Sequence, residues 1–284
     1  MILITGATGT IGSKVLDLLV EGDHDVRAMT RDPARLRAYD STGVDVVIGD
    51  FDRPDSLRAA VDGIDTVFLL TAPGAAGPDH DRALIEAAIR AGVGRVVKLS
   101  AIDIPGSGTG AFDWHRPGET ALRDGGVSWT ILRPAGFASN SLAWAESIRA
   151  GGPVPNMSGP GAQGIVDPRD VAEVAVAALL SAEHAGQTYT LTGPENISVV
   201  DQAALIGAEL GRTVPTVDVP IETACTQMLD AGAPASMVDM AAEGFALIRS
   251  GAARFVSDDV ERVLGRPARS FADWIRDHRG SFTG

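Results

Sequence analysis

Cysteine is almost missing from this 284-residue chain. Cys225 stands alone, so no intrachain disulfide can form and nothing points to an oxidising compartment. Lysine and tyrosine are as scarce, with only Lys14 and Lys98, and only Tyr39 and Tyr189. Positive charge is in deficit: 24 Lys and Arg against 37 Asp and Glu leave a formal charge of -13. That balance argues against a nucleic-acid partner, because phosphate backbones are held by clustered Lys and Arg. The five histidines, His24, His80, His115, His184 and His278, show no zinc-type Cys/His spacing, so no metal is expected. No apolar run approaches the roughly 20 residues that a membrane-spanning helix requires. The first strand reaches its glycines by Gly6, which leaves no room for a signal peptide. The expectation is a cytoplasmic protein with no membrane partner.

What is present is ordinary globular composition, 45% hydrophobic and 21% charged. From residue 1 to about 134, six short apolar runs alternate with amphipathic stretches: Ile2-Leu3-Ile4, Val26 to Met29, Val44 to Ile48, Thr66 to Leu70, Val96 to Leu99 and Trp129 to Leu132. Helices are marked over Ile11 to Glu21, from Pro54, and over Asp79 to Ala91. Strands separated by helices imply a parallel sheet with right-handed crossovers. The predicted class is α/β, a Rossmann-like doubly wound parallel sheet with a smaller, mostly helical C-terminal substrate lobe. The expected division is 1-134 for dinucleotide binding and 135-284 mainly for substrate, with about 165-192 returning to the sheet.

Thr5-Gly6-Ala7-Thr8-Gly9-Thr10-Ile11-Gly12 follows the first strand and opens the first helix, the context a dinucleotide fingerprint needs. Gly6 permits the tight turn, Gly9 lets the pyrophosphate approach the backbone, and Gly12 brings the helix close. Thr8, Thr10 and Ile11 complete the cradle, and the helix start attracts the diphosphate. The second strand ends Thr30-Arg31-Asp32, where an NAD enzyme usually places an acidic residue against the ribose. Arg31 suits a 2′-phosphate instead, with a solvated surface arginine as the bland reading. NADP(H) is therefore expected, with NAD(H) second. Asp50 and Phe51 close the third strand near the adenine, and Thr71, Ala72 and Pro73 close the fourth beside the diphosphate. Strand-end caps and turn residues are the alternatives there. Ser100, at the end of the fifth strand, is a weaker candidate for the cofactor site, with a strand-end hydroxyl as the alternative.

The Tyr-Lys dyad of short-chain dehydrogenases is missing: four residues after Tyr39 and Tyr189 stand Gly43 and Gly193. The stretch Ala111-Phe112-Asp113-Trp114-His115-Arg116-Pro117-Gly118-Glu119, followed by Ser128 to Pro134, resembles the NmrA-like branch of atypical short-chain dehydrogenases. Within it, the likeness is to the quinone oxidoreductase and triphenylmethane reductase group. Val166 to Ala172, Tyr189 to Gly193 and Ser270 to Trp274 extend it over nearly the whole length. The resemblance implies NADP(H), puts His115 where the dyad lysine lies with Glu119 four residues on, and gives Ala111 the tyrosine position. It also implies that Pro134, Gly136 and Phe137 pack against the nicotinamide. His115 is the candidate catalytic residue, and Trp114, His115, Phe137 and Trp144 are candidates for an apolar substrate pocket; core packing is the alternative for each. The expected function is NADPH-dependent reduction of a small aromatic or quinone substrate by a monomer or homodimer. The alternatives are a biosynthetic ketoreductase or conjugate reductase, and a non-catalytic NADP(H)-sensing regulator.

Overall fold

Runs of Ile, Val and Leu too short for helices become strands once both their faces are covered. A computed structural model describes residues 1–72, 74, 76–103 and 113–283. In chain order the elements are β1 (Ile2–Ile4), α1 (Gly12–Glu21), β2 (Val26–Thr30), β3 (Asp45–Ile48), α2 (Pro54–Val61), β4 (Thr66–Leu69), α3 (Gly77–Ala91), β5 (Arg95–Leu99), α4 (Arg116–Asp124) and β6 (Ser128–Pro134). There follow α5 (Ala145–Arg149), β7 (Val154–Asn156), β8 (Ala162–Gly164), α6 (Pro168–Leu180), β9 (Gln187–Leu191), β10 (Asn196–Ser198), α7 (Val199–Leu210) and β11 (Thr216–Asp218). The C-terminal stretch is helical, from α8 (Ile221–Asp230) and α9 (Ala235–Arg249) through α10 (Asp259–Leu264) and α11 (Phe271–Asp277) to α12 (Arg279–Phe282).

The main sheet is seven-stranded and parallel, in the order β3-β2-β1-β4-β5-β6-β9. Its direction of winding reverses beside β1, which pairs with β2 on one side and β4 on the other. In such sheets ligands bind beyond the carboxyl ends of the strands at this reversal. β1 is buried throughout and β4 from Val67 to Leu69, whereas β3, at the edge, leaves Ile48 61% exposed. Leu57, Leu69, Leu84, Ile85, Val96 and Leu122 belong to the core cluster that joins α2, α3 and α4 to the sheet. α6, rich in Val and Ala, packs on α1, β4 and β5.

The chain divides into two compact units. The first comprises Met1–Ala101, Asp113–Arg133 and Pro168–Thr190; the second is built mainly from Pro134–Asp167 and Leu191–Gly284. The second unit has its own core, with Phe271, Trp274, Ile275 and Phe282 packed with Ile206 and Ile148. Ser198 and Ser270 each start a helix through a reciprocal capping box, with Asp201 and Asp273 as the third-position partners. Among the described residues no helix is long and apolar enough to cross a membrane, and no group of three His, Cys, Asp or Glu is placed to hold a metal ion.

Candidate functional site

The loop after β1 is pinned before it turns. Thr5 Oγ1 donates to Leu70 O at 3.0 Å and accepts from Leu70 N at 2.8 Å, tying the loop to the end of β4. Gly6 then takes φ +63°, where a side chain is strained, and a Cβ there would lie 2.5 Å from Leu70 Cδ2. At Gly12 a Cβ would meet Gly6 O at 2.1 Å, so α1 starts against the carbonyl of the loop that feeds it. Gly9 is different: its Cβ would meet only Gly6 O, at 3.3 Å, and the residue is exposed. Thr10 beside it is also exposed, Thr8 is half-buried, and Ala7 and Ile11 are buried under the loop. No side chain caps α1 and no acidic residue stands in its first turn. Open space over Gly9 beside an uncapped helix start fits an anion such as a dinucleotide diphosphate.

The strand ends that follow are placed unequally for binding. Arg31 is exposed at the end of β2, with no ion pair among the described residues. Asp32 Oδ1 accepts from Ala34 N at 3.0 Å, so that carboxylate caps the next turn. Asp50 Oδ1 accepts from Asp52 N, and Phe51 stacks on His80 with ring centroids 5.3 Å apart. Thr71 is buried and its hydroxyl donates to Asp81 Oδ1 at 2.9 Å, while Ala72 is exposed. Ser100 donates to Glu119 Oε1 at 2.6 Å. Pro73 and Ala111 lie outside the described residues.

Around His115 the structure assembles charges that sequence spacing did not connect. Lys98 sits in mid-β5, fully buried, with its Nζ 2.6 Å from Asp81 Oδ2 on α3, whose carboxylate is equally buried. That oxygen has no regular hydrogen bond, so its partner is the ammonium held as an ion pair. Lys98 Nζ also lies 3.4 Å from His115 Nδ1. Trp114 stacks on the His115 ring at 3.5 Å and covers Gly77, where a Cβ would sit 2.5 Å from Trp114 Cε3. Glu119 is taken up elsewhere: Arg133 grips both its oxygens, at 3.0 and 2.6 Å, and Arg123 adds a third contact.

The electrostatics follow from this packing. Burial pushes His115 down, the positive charges of Lys98 and Arg133 add to it, and the imidazole reaches about 2. Burial acts the other way on Glu119, but hydrogen bonds from Arg133 and Ser100 prevail and hold its carboxyl below the usual range. His115 is thus neutral across the physiological range, not a group that titrates near neutrality. Lys98, Asp81 and Arg133 were not among the residues expected at the site. The available signal was a lysine inside the run Arg95-Val-Val-Lys-Leu99, since a charge inside a buried strand demands a partner.

In the second unit, Pro134 is buried and Phe137 half-buried, the latter bridging to Val166. A Cβ at Gly136 would meet the Gln163 side chain at 2.9 Å. Trp144 packs against the core of this unit. Of the two tyrosines, Tyr39 donates to Asp17 and Tyr189 pairs with His184.

Comparison with known proteins bears on this geometry. A family model described as NAD(P)H-binding matches residues 6–182. Over 284 residues the chain is 39% identical to the (4-alkanoyl-5-oxo-2,5-dihydrofuran-3-yl)methyl phosphate reductase of Streptomyces griseus, covering 99% of each. It is 37% identical over 283 residues to the NAD(P)H azoreductase of Xenophilus azovorans, again covering 99% of each. The NADPH-dependent quinone oxidoreductase of Escherichia coli, solved with NADPH, superposes with a TM-score of 0.88 at 26% identity, covering 98% of this chain and 100% of that one.

Proposed function

The chain belongs to the NAD(P)H-binding family and is an NAD(P)H-dependent oxidoreductase, and from that premise we propose that it reduces a quinone or a similarly flat, conjugated acceptor with NADPH. The observation that carries the choice of acceptor is the packing of His115: a buried imidazole 3.4 Å from the Lys98 ammonium is disfavoured as an imidazolium and so is poorly placed to protonate an alkoxide as it forms. A bound NADPH supplies the hydride. A quinone that accepts a hydride becomes a delocalised hydroquinone anion and takes its proton from water, whereas a simple ketone needs a placed acid.

The roles of this chain's residues follow. Gly6, Gly9 and Gly12, with Thr8, Thr10 and Ile11, shape the diphosphate cradle. Arg31 meets the 2′-phosphate, for which the capping role of Asp32 leaves it without a competing carboxylate from the next residue. Asp50 and Phe51 face the adenine side, and the backbone at Thr71 and Ala72 follows the diphosphate. Within the first unit, Trp114 and His115 are assigned to the acceptor. A quinone, an azo compound and an unsaturated oxo-dihydrofuran, the acceptors named for the three relatives, share extended conjugation across a flat framework.

A second reading, a conjugate reductase of a biosynthetic pathway, is favoured by the 39% identity to the Streptomyces enzyme. NADPH absorbance followed with quinones, an azo dye, an unsaturated lactone and a simple ketone tests both. Oxidation with conjugated acceptors and none with the ketone is expected. NADPH binding by calorimetry with no oxidation by any acceptor would instead make the protein a sensor.

A further inference from the structure

Lys98 is a buried cation whose close partner in the fold is Asp81. A lysine in mid-strand with both faces covered is costly, and an apolar residue of the same size packs there without a counterion. Its ammonium has two further neighbours at 3.4 Å, Leu99 O and His115 Nδ1, both at the long end of hydrogen-bond range. An ammonium carries three donors and no acceptor. Whatever it bonds must therefore accept. If Nδ1 accepts, the proton of the neutral ring resides on Nε2.

We propose that Lys98, anchored on Asp81, is a positioning residue that fixes His115 as the Nε2–H tautomer, so that Nε2 stands as a neutral hydrogen-bond donor for the oxygen that gains charge when the acceptor is reduced. This rests on the reading of His115 as part of the acceptor site. Three observations converge on it. Nδ1, not Nε2, is the ring nitrogen that meets the lysine, which leaves Nε2 for another partner. Trp114 stacks on the ring and fixes its plane. Thr71 Oγ1 donates to the other oxygen of Asp81, which orients the carboxylate that orients the lysine.

The charged groups around the ring act in the same sense. Lys98 of β5 and Arg133 of β6 both disfavour an imidazolium. The carboxylates of the neighbouring elements are already engaged, Asp81 of α3 with Lys98 and Glu119 of α4 with Arg133, Arg123 and Ser100. A ring with a fixed proton on one nitrogen needs no reorientation when charge develops on the acceptor, the condition for efficient electrostatic stabilisation. It also makes the donor independent of pH over the range in which a free histidine titrates.

The test is the tautomer itself, read from long-range proton–nitrogen NMR correlations of the imidazole nitrogens in the full chain. The His115 signals are assigned by their loss in His115→Gln. In the unmutated protein Nε2 is expected to carry the proton, Nδ1 to be bare, and neither to change between pH 5 and 8. The informative variant is Asp81→Asn with Lys98→Met, which removes both buried charges together and leaves neither ion unpaired. There His115 is expected to populate both tautomers, and its ionisation to rise, while burial and Arg133 still hold it below the ordinary histidine range. With a quinone and NADPH, kcat/KM should fall about fivefold to tenfold, the size of a neutral hydrogen bond.

A protonated Nδ1 in the unmutated protein overturns the proposal, and that measurement needs no variant to fold. So does an unchanged tautomer in a folded double variant. The NMR readout uses no acceptor. A protein with the expected tautomer that fails to oxidise NADPH whichever acceptor is supplied would therefore refute the reductase reading while leaving the tautomer assignment standing.

Discussion

Arg31 and Asp32 are neighbours of opposite charge with separate work. The carboxylate caps the turn that follows β2, and the guanidinium is left exposed at the strand end. NADPH is expected to bind more tightly than NADH, and Arg31→Ala to erase most of the difference. A charge-assisted contact contributes about 1.5–3 kcal/mol, so the preference should be on the order of tenfold to a hundredfold by calorimetry. Equal affinities in the unmutated protein would overturn the assignment. His115 makes a prediction of the opposite kind, about stability. Its folded value is pushed down to about 2, whereas an unfolded histidine titrates near 6.5. Between those values the unfolded chain holds the extra proton, so stability drops as the pH falls below about 6.5, by up to about 1.4 kcal/mol per pH unit. Urea midpoints from pH 8 to 5 should show this slope, and His115→Gln should reduce it; parallel profiles would show that His115 titrates normally. At this scale the sequence pointed to Arg31, the glycines and His115, but not to the neutral state of the imidazole. That state depends first on burial and then on Lys98 and Arg133, which approach the ring from β5 and β6.

The elements of the sheet were legible because each is a local pattern: a β-branched run, then a stripe of apolar residues at helical spacing. The loop between β1 and α1 was legible for the same reason, yet its glycines are not equivalent. Gly12→Ala should destabilise the fold by at least about 1–3 kcal/mol, because its Cβ would overlap a backbone carbonyl that cannot move aside. Gly9→Val should leave circular dichroism and melting nearly unchanged while abolishing dinucleotide binding, since the space it fills belongs to no protein atom beyond Gly6 O. Retained NADPH binding by a folded Gly9→Val protein would mean that the loop is only a turn. The Lys98–Asp81 pair was hidden at this scale. It joins the middle of β5 to the first half of α3, and no local pattern encodes which face of a helix meets which strand.

At the scale of the whole molecule, the sequence-based boundary near residue 134 and the packing tell different parts of one account. β9 completes the sheet beside β6, and α6 lies over β4 and β5 and against α1. A fragment of residues 1–134 therefore lacks the cover of one sheet face, and parallel sheets tolerate no bare face. It should be insoluble or bind a hydrophobic dye strongly, even though it contains every residue of the glycine loop and of the Lys98 network. A soluble, cooperatively melting fragment would show that α6 is dispensable. The placement of α6 also reaches back to the birth of the chain. At about 5–20 residues per second, translation continues for on the order of several seconds between the appearance of β6 and that of α6 and β9. During that interval the nascent sheet offers the ribosome's surroundings an apolar face and an unpaired edge. Neither is covered by the protein's own helix and strand until Pro168–Leu191 has emerged.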